Sequence, residues 1–242
     1  NAVDMGMLSK SGPKGLLYKY FRNKEKALYR LSDYIGCMSP ANIDYIIKHN
    51  SEISLNKVEL APNSYSIVNN NRHRLSIREI KMHYNFPLDK KLFFYGGNMG
   101  KPQGIPFLIK CLDAIKIRDD CHFVIVGDGS DYPLLEKWYL SDANRRTVSL
   151  FRYLPKEEYD LLVSICDVGL IFLDYRFTIP NYPSRLLPYL MEHKPIIAVT
   201  DPNCDTGKIA EDNGYGYYCP SNSVDSFVET VDRMLSSDIK QM

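Results

Sequence analysis

No apolar run in the 242 residues approaches the roughly 18 that a membrane-spanning helix needs. The six cysteines, Cys37, Cys111, Cys121, Cys166, Cys204 and Cys219, form no Cys-x-x-Cys pair. The five histidines show no His-Glu-x-x-His or comparable spacing. These absences argue against a disulfide framework and a metal site, and make reduced core thiols in a cytosolic protein the expectation. Charge of one sign is lacking too. Lys and Arg number 30 against 29 Asp and Glu, a net charge of +1, so no bulk field recruits nucleic acid. There is no internal repeat or low-complexity tract. Hydrophobic content of 45% and charged content of 24% fit an ordinary globular chain, long enough for one large domain or one domain plus part of another.

What is present alternates. Apolar runs over 92–95, 122–126, 147–151, 167–173, 195–199 and 215–218 read as strands. Segments of helical period follow each, over 105–117, 132–140, 156–165, 184–192, 205–212 and 224–235. Six strand–helix units in succession imply an α/β fold, a Rossmann-like, doubly wound parallel sheet covered on both faces. Residues 75–84 read as one more helix, and residues 64–74, with Asn69-Asn70-Asn71, as a linker.

The opening third differs. A helix is expected over 13–31, a short apolar run over 34–38, a helix from Ser39-Pro40 to His49-Asn50, and a strand over 57–60. That is too few strands for a sheet domain, so the expected division is 1–64 and 65–242. The 13–31 helix carries Lys14, Lys19, Arg22, Lys24, Lys26 and Arg30. Such a basic face rests on an anionic membrane surface or is merely solvated, and the sequence leaves both open.

In a doubly wound domain the strand-to-helix loops open on one side of the sheet, where ligands bind. After the first strand comes Tyr95-Gly96-Gly97-Asn98-Met99-Gly100-Lys101-Pro102-Gln103-Gly104. Its glycines let backbone N–H groups cradle a phosphate, and Lys101 adds a point charge. The loop is neither a dinucleotide fingerprint nor a Walker loop, and a tight turn would use the same glycines. After the second strand, Gly127-Asp128-Gly129 permits a sharp turn, with Asp128 as a candidate cap for the next helix. Phe151-Arg152-Tyr153-Leu154-Pro155 lies on the same rim. After the fourth strand, Leu173-Asp174-Tyr175-Arg176-Phe177-Thr178-Ile179-Pro180-Asn181-Tyr182-Pro183-Ser184-Arg185 leads into a helix with Ser184 as candidate N-cap. Arg185 adds positive charge at that helix start. Anion-binding chemistry after the first and fourth strands of one sheet points to a nucleotide diphosphate across its carboxyl edge.

These residues resemble a family. The order Gly-Asn-x-Gly-Lys-x-Gln-Gly, then Phe-Val-Ile-Val-Gly-Asp-Gly, then Pro-Ser-Arg-Leu-Leu-x-Tyr-Leu, then His-Lys-Pro-Ile-Ile-Ala is similar to the nucleotide-sugar domain of retaining glycosyltransferases of family 4. These are the GT-B-fold "glycosyl transferases group 1", in the bacterial branch that builds capsule, exopolysaccharide and O-antigen. Ala61-Pro62-Asn63-Ser64 resembles the turn into that family's second domain.

The resemblance implies that residues 65–242 form the nucleotide-sugar-binding domain and 1–64 the tail of an acceptor-binding domain, a fragment inactive alone. It implies sugar transfer from a nucleotide-sugar donor, with UDP the expected carrier, to a growing surface polysaccharide or lipid-linked glycan. No resident cofactor or metal is implied, and no Asp-x-Asp motif occurs. The implied place is the cytoplasm, free or in peripheral contact with the inner face of the membrane. Lys101 and Arg185 would act on the leaving diphosphate, with Gly97, Asn98, Gly100 and Gln103 around it. Gly127, Asp128 and Gly129 would lie near the nucleoside, and Arg152 and Tyr153 at the base. Thr178, Asn181 and Ser184 would approach the donor sugar and phosphates.

One departure stands out. The family's two glutamates, eight positions apart, correspond here to Pro180 and Pro188. Neither can accept a hydrogen bond from a ribose hydroxyl as a carboxylate does, which leaves open a catalytically lapsed nucleotide-binding or scaffold protein. A sugar-nucleotide epimerase of the same fold is the other alternative, and the loops are poor in the histidines and carboxylates it would want. Pro188 also implies that its helix starts no earlier than about Pro183, because an interior proline clashes with the carbonyl four residues back. A wide loop over 177–182 is the corollary.

Overall fold

The computed structural model describes residues 3, 6, 8–65, 75–141, 146–239 and 241–242. It divides into two compact units. The first comprises Asn1–Ser64, Arg176–Tyr182 and Asp201–Asp205, and the second Tyr65–Tyr175, Pro183–Thr200 and Thr206–Met242. From residue 66, the stretch read as a linker lies outside the described residues.

In the first unit, α1 (Pro13–Leu31) leads to β1 (Ile35–Cys37), α2 (Pro40–His49), a 3-10 turn and β2 (Val58–Leu60). The two strands pair in parallel, Ile35 opposite Val58 and Cys37 opposite Leu60. The start of α2 is doubly capped. Ser39 Oγ accepts from Asn42 N at 3.4 Å, and Asp205 Oδ2 accepts from Ala41 N at 2.9 Å. Two of the amide donors that any helix start leaves unpaired are thereby satisfied. Asn42 Nδ2 donates to the Pro180 carbonyl at 2.8 Å. Such long-range bonds place 176–182 and 201–205 in this unit, a grouping that no local sequence pattern announces.

The second unit opens with α3 (Ile77–His83), whose capping box pairs Ser76 and Glu79. Six strands follow: β3 (Lys91–Gly96), β4 (Cys121–Val126), β5 (Val148–Phe151), β6 (Val168–Phe172), β7 (Ile196–Thr200) and β8 (Gly216–Pro220). All pair in parallel, in the order β5-β4-β3-β6-β7-β8. Helices α4 (Ile105–Ala114), α5 (Tyr132–Tyr139), α6 (Lys156–Ile165), α7 (Leu186–Met191), α8 (Thr206–Asp212) and α9 (Val224–Ser236) connect and cover them. This is the Rossmann-like, doubly wound sheet that the alternation implies.

Strands β4, β6 and β7 are buried along their whole length, which is why they read as continuous apolar runs. Phe93, Tyr95, Phe123, Leu170 and Phe172 join Leu108 and Leu112 of α4 and Phe227 and Val231 of α9 in one core. Each fully buried side chain of that size contributes roughly 1.5–3 kcal/mol relative to exposure. Phe94 points the other way, with its ring centroid 5.4 Å from Tyr159 and 6.4 Å from Tyr189. Beside them, the Tyr189 hydroxyl donates to the Phe94 carbonyl at 3.0 Å, and the Leu170 carbonyl is 3.4 Å away. A Cβ on Gly169 of β6 would come within 2.5 Å of that ring. Gly169 therefore makes the room that Tyr189 fills.

Most expected boundaries shift by one or two residues, and two of the shifts have a visible cause. The helix expected over 105–117 ends at Ala114, where Arg118 N turns back onto the Ile115 carbonyl and leaves Ile117 84% exposed. The helix expected over 184–192 is α7, and it starts at Leu186 with Arg185 as N-cap and no side-chain cap. Ser184 supplies its carbonyl to Leu187 N at 3.1 Å, so its expected capping by the hydroxyl is replaced by a main-chain turn. The late start fits Pro188, which falls at the third helical position, where an N–H would have no partner within the helix.

Candidate functional site

Counted within the second unit, the strand order is 3-2-1-4-5-6, and the order reverses between β3 and β6. Loops leaving the carboxyl ends of those two strands diverge to opposite sides and open a crevice. β3 and β6 pair only at Phe93–Val168 and Phe94–Gly169.

The loop after β3 is fastened from behind. Gly97 N donates to the Val126 carbonyl at 2.9 Å, Met99 N to the Asp128 carbonyl at 2.8 Å, and Asp131 N to the Met99 carbonyl at 2.8 Å. Met99 is fully buried. A Cβ at Gly127 would stand 1.9 Å from the Gly97 carbonyl oxygen, and one at Gly129 would stand 2.5 Å from that of Met99. Those two glycines thus let one backbone loop lie against another. From the front, Gln103 Oε1 accepts from Asn98 Nδ2 at 3.0 Å and from Gly100 N at 3.1 Å. Gln103 is buried, so it shapes the loop from inside. Lys101 opens the 3-10 turn that follows and is exposed. The loop after β6 is tied to the same place, with Asp174 N donating to the Pro102 carbonyl at 2.9 Å.

Arg185 completes the cluster. Its guanidinium carbon lies 5.2 Å from the centroid of the Tyr95 ring, a cation–π distance. Its guanidinium atoms are 3.4–3.5 Å from where a Cβ on Gly97 would be. Gly97, at φ 134°, carries none. Arg185 Nη1 is buried and has no hydrogen-bond partner among the described residues. Burial pushes the Tyr95 phenol up from its ordinary value, with the Arg185 charge acting in the opposite direction. A positive group with an unmet donor, beside a glycine loop at a switch point, is suited to an anionic oxygen.

A second group lies at the ends of β4 and β5. Asp128 Oδ1 accepts from Gly129 N at 2.8 Å, and Oδ2 accepts from Arg152 Nε at 3.2 Å. Asp128 therefore closes its own turn and holds Arg152. It does not cap α5, whose N-cap is Asp131. The hydrogen bond from Gly129 N, then that from Arg152, holds its carboxyl below the usual range. Arg152 also lies 5.1 Å over the Tyr132 ring, and Tyr153 is 80% exposed.

Gly97, Asn98, Gly100, Lys101, Gln103 and Arg185 thus come together, Gly127, Asp128 and Gly129 pack behind them, and Arg152 and Tyr153 lie beside Asp128. Ser184 is exposed in the turn before α7. Thr178 and Asn181 belong to the first unit. There the Asn181 carbonyl accepts from Cys204 Sγ at 3.0 Å. Thr178 lines a cavity of about 720 Å³ with Tyr18, Arg22, Asn42 and Tyr45. Tyr95 escaped the sequence reading because it ends an apolar run. Its signal was a polar-tipped aromatic directly before Gly96-Gly97. Among the described residues no three His, Cys, Asp or Glu side chains cluster as metal ligands, and no helix is long and apolar enough to cross a membrane.

Residues 76–242 match the model of a family described as glycosyl transferases group 1. The chain is similar to the probable glycosyltransferase WbjE of Pseudomonas aeruginosa, 27% identical over 153 residues, which are 63% of this chain and 38% of that protein. Among solved structures it is similar to a glycosyltransferase from Rickettsia africae, with a TM-score of 0.68 and 15% identity over 86% of this chain and 55% of that one. It is also similar to Anabaena Alr3699/HepE in complex with UDP and glucose, with a TM-score of 0.69 and 13% identity over 91% of this chain and 58% of that one. The chain spans 38% of the curated relative's length and little more than half of each structure's.

Proposed function

From the premise that the chain belongs to the glycosyl transferases group 1, we propose that its second unit binds the nucleotide-sugar donor of a retaining transferase, with the diphosphate at the switch point between β3 and β6. The observation that carries this is the buried, unpartnered Arg185 Nη1 beside the Gly97 loop. When the bond between the anomeric carbon and the phosphate oxygen breaks, the departing diphosphate gains negative charge. Arg185 and Lys101 are the groups proposed to stabilise it, an electrostatic role needing no resident cofactor. The expected backbone cradle is not among them, because the amides of Gly97, Met99 and Gly100 are already bonded to Val126, Asp128 and Gln103. Arg152 and Tyr153 take the base, and Ser184 the sugar side. UDP is the nucleotide favoured, because HepE was captured with UDP and glucose. The acceptor proposed is a growing surface polysaccharide or lipid-linked glycan, in keeping with the relatedness to WbjE. The proposed place is the cytoplasm, at the inner face of the membrane. Leu16, Leu17, Tyr20 and Phe21 of the basic helix α1 are exposed and supply the contact.

Titration calorimetry of the chain with UDP, GDP, ADP and the matching nucleosides tests the donor site. Binding of at least one diphosphate, more tightly than its nucleoside, is expected; no heat and no thermal shift at millimolar diphosphate would refute the site. A lapsed, nucleotide-binding protein is the second reading, favoured by Pro180 and Pro188 at the glutamate positions. Pro188→Glu separates the two. With the ribose held by other groups, UDP affinity stays level or falls; a gain of about tenfold, or about 1.4 kcal/mol, favours the lapsed protein.

A further inference from the structure

We propose that Tyr95 is the positioning residue of the anion site: its ring face aims the Arg185 guanidinium at the ligand while its hydroxyl fixes the loop that faces that guanidinium. The inference rests on the diphosphate site proposed above. Tyr95 is completely buried at the last turn of the pleat in β3 before Gly96. Its hydroxyl donates to the Asn98 carbonyl at 2.9 Å, so the ring and the loop move as one. Its edge meets Phe172 of β6 at 6.1 Å and an interplanar angle of 74°, and this contact from the other switch-point strand sets the ring's tilt.

Above that fixed ring lies Arg185, which forms no ion pair among the described residues and leaves Nη1 unbonded. An arginine paired with a carboxylate would have its charge met before any ligand arrived. One laid over a ring is held without an opposite charge, so its own charge and the unbonded Nη1 remain for an anion. Gly97 lies against the same guanidinium: a Cβ there would be in ordinary contact with it at 3.4–3.5 Å, and the φ of 134° is what favours glycine.

The test is a double-mutant cycle on the whole chain, with UDP and uridine as probes and melting temperature as the control for folding. Tyr95→Leu is expected to weaken UDP by about five- to tenfold and to leave uridine unchanged. Tyr95→Phe, which keeps the ring but loses the bond to the Asn98 carbonyl, should recover only the ring's share of the loss. In an Arg185→Ala background, Tyr95→Leu should cost less than roughly twofold more, since the residue acts through Arg185. A loss that persists in full in that background, or that falls equally on uridine, overturns the positioning role. Should Tyr95→Leu not fold, a series of fluorinated phenylalanines at position 95 decides: UDP affinity falls stepwise with ring electron density if the ring face holds Arg185, and a flat series overturns the inference. A wild-type chain that binds no diphosphate removes the site itself. A chain that binds UDP and weakens on Arg185→Ala, yet is indifferent to the ring, removes only the role of Tyr95.

Discussion

Arg185 and His122 are two cations-in-waiting with opposite fates. Arg185 has a buried nitrogen with no partner among the described residues. Arg185→Ala should therefore weaken UDP by roughly 1.5–3 kcal/mol, the worth of a charge-assisted hydrogen bond, with uridine affinity unchanged by calorimetry. Lys101→Ala should cost less, under about 1 kcal/mol, because that ammonium is exposed and screened. His122 sits 4% exposed in β4, with Nε2 2.9 Å from Ser149 Oγ and Nδ1 buried and unpartnered among the described residues. Burial first, then the charges of Lys90 and Lys81, push its pKa down to about 4 from 6.5. Between those values the unfolded chain takes up a proton that the folded chain refuses. Stability is thus full above pH 6.5, falls as pH drops to about 4, and loses no more below that on this account. Urea unfolding from pH 7 to 4 should show a loss of up to about 3 kcal/mol that His122→Gln removes.

Among the elements, α7 and β6 are fitted to each other by one missing side chain. Gly169→Ala pushes a methyl into the Tyr189 ring, and should lower stability by about 1–3 kcal/mol as an overpacked core, read as a shift of the urea midpoint at constant slope. This fit, like most of the site, lies beyond local pattern. The alternation of buried strands and helices was legible because parallel strands covered on both faces are unbroken apolar runs, and Ser39 announced its helix by capping chemistry, whereas the capping box of Ser76 and Glu79 appears only in the structure. Ser184 misled because a cap by hydroxyl and a turn closed by a carbonyl use the same polar residue before a helix. Gly127 and Gly129 stood out as a loop, but whether they served a ligand or a neighbouring backbone depended on where the Gly97 loop runs. Tyr95 was hidden among apolar strand residues, since its neighbours Phe172 and Arg185 are far away in sequence.

At the scale of the molecule, the first unit offers only β1 and β2 as a sheet among the described residues. Orientation of the acceptor supplies much of any transfer rate, so this chain alone is expected to hydrolyse or transfer no measurable sugar from a UDP-sugar in a radiolabel assay. Robust transfer would mean that the acceptor site is already complete. The six cysteines have a use that has nothing to do with sugar. All are buried. Burial pushes the thiols of Cys121, Cys166 and Cys219 up to about 12, and raises those of Cys37 and Cys111. A buried thiol that is not a thiolate reacts only when the structure around it opens. Two lie in the first unit, Cys37 and Cys204, and four in the second, Cys111, Cys121, Cys166 and Cys219. Timed alkylation followed by peptide mass spectrometry would therefore clock the breathing of each unit separately in one unmodified sample. Saturating UDP should slow labelling of the four and leave the two at their original pace, so the chain carries its own dosimeter of where a ligand has tightened it.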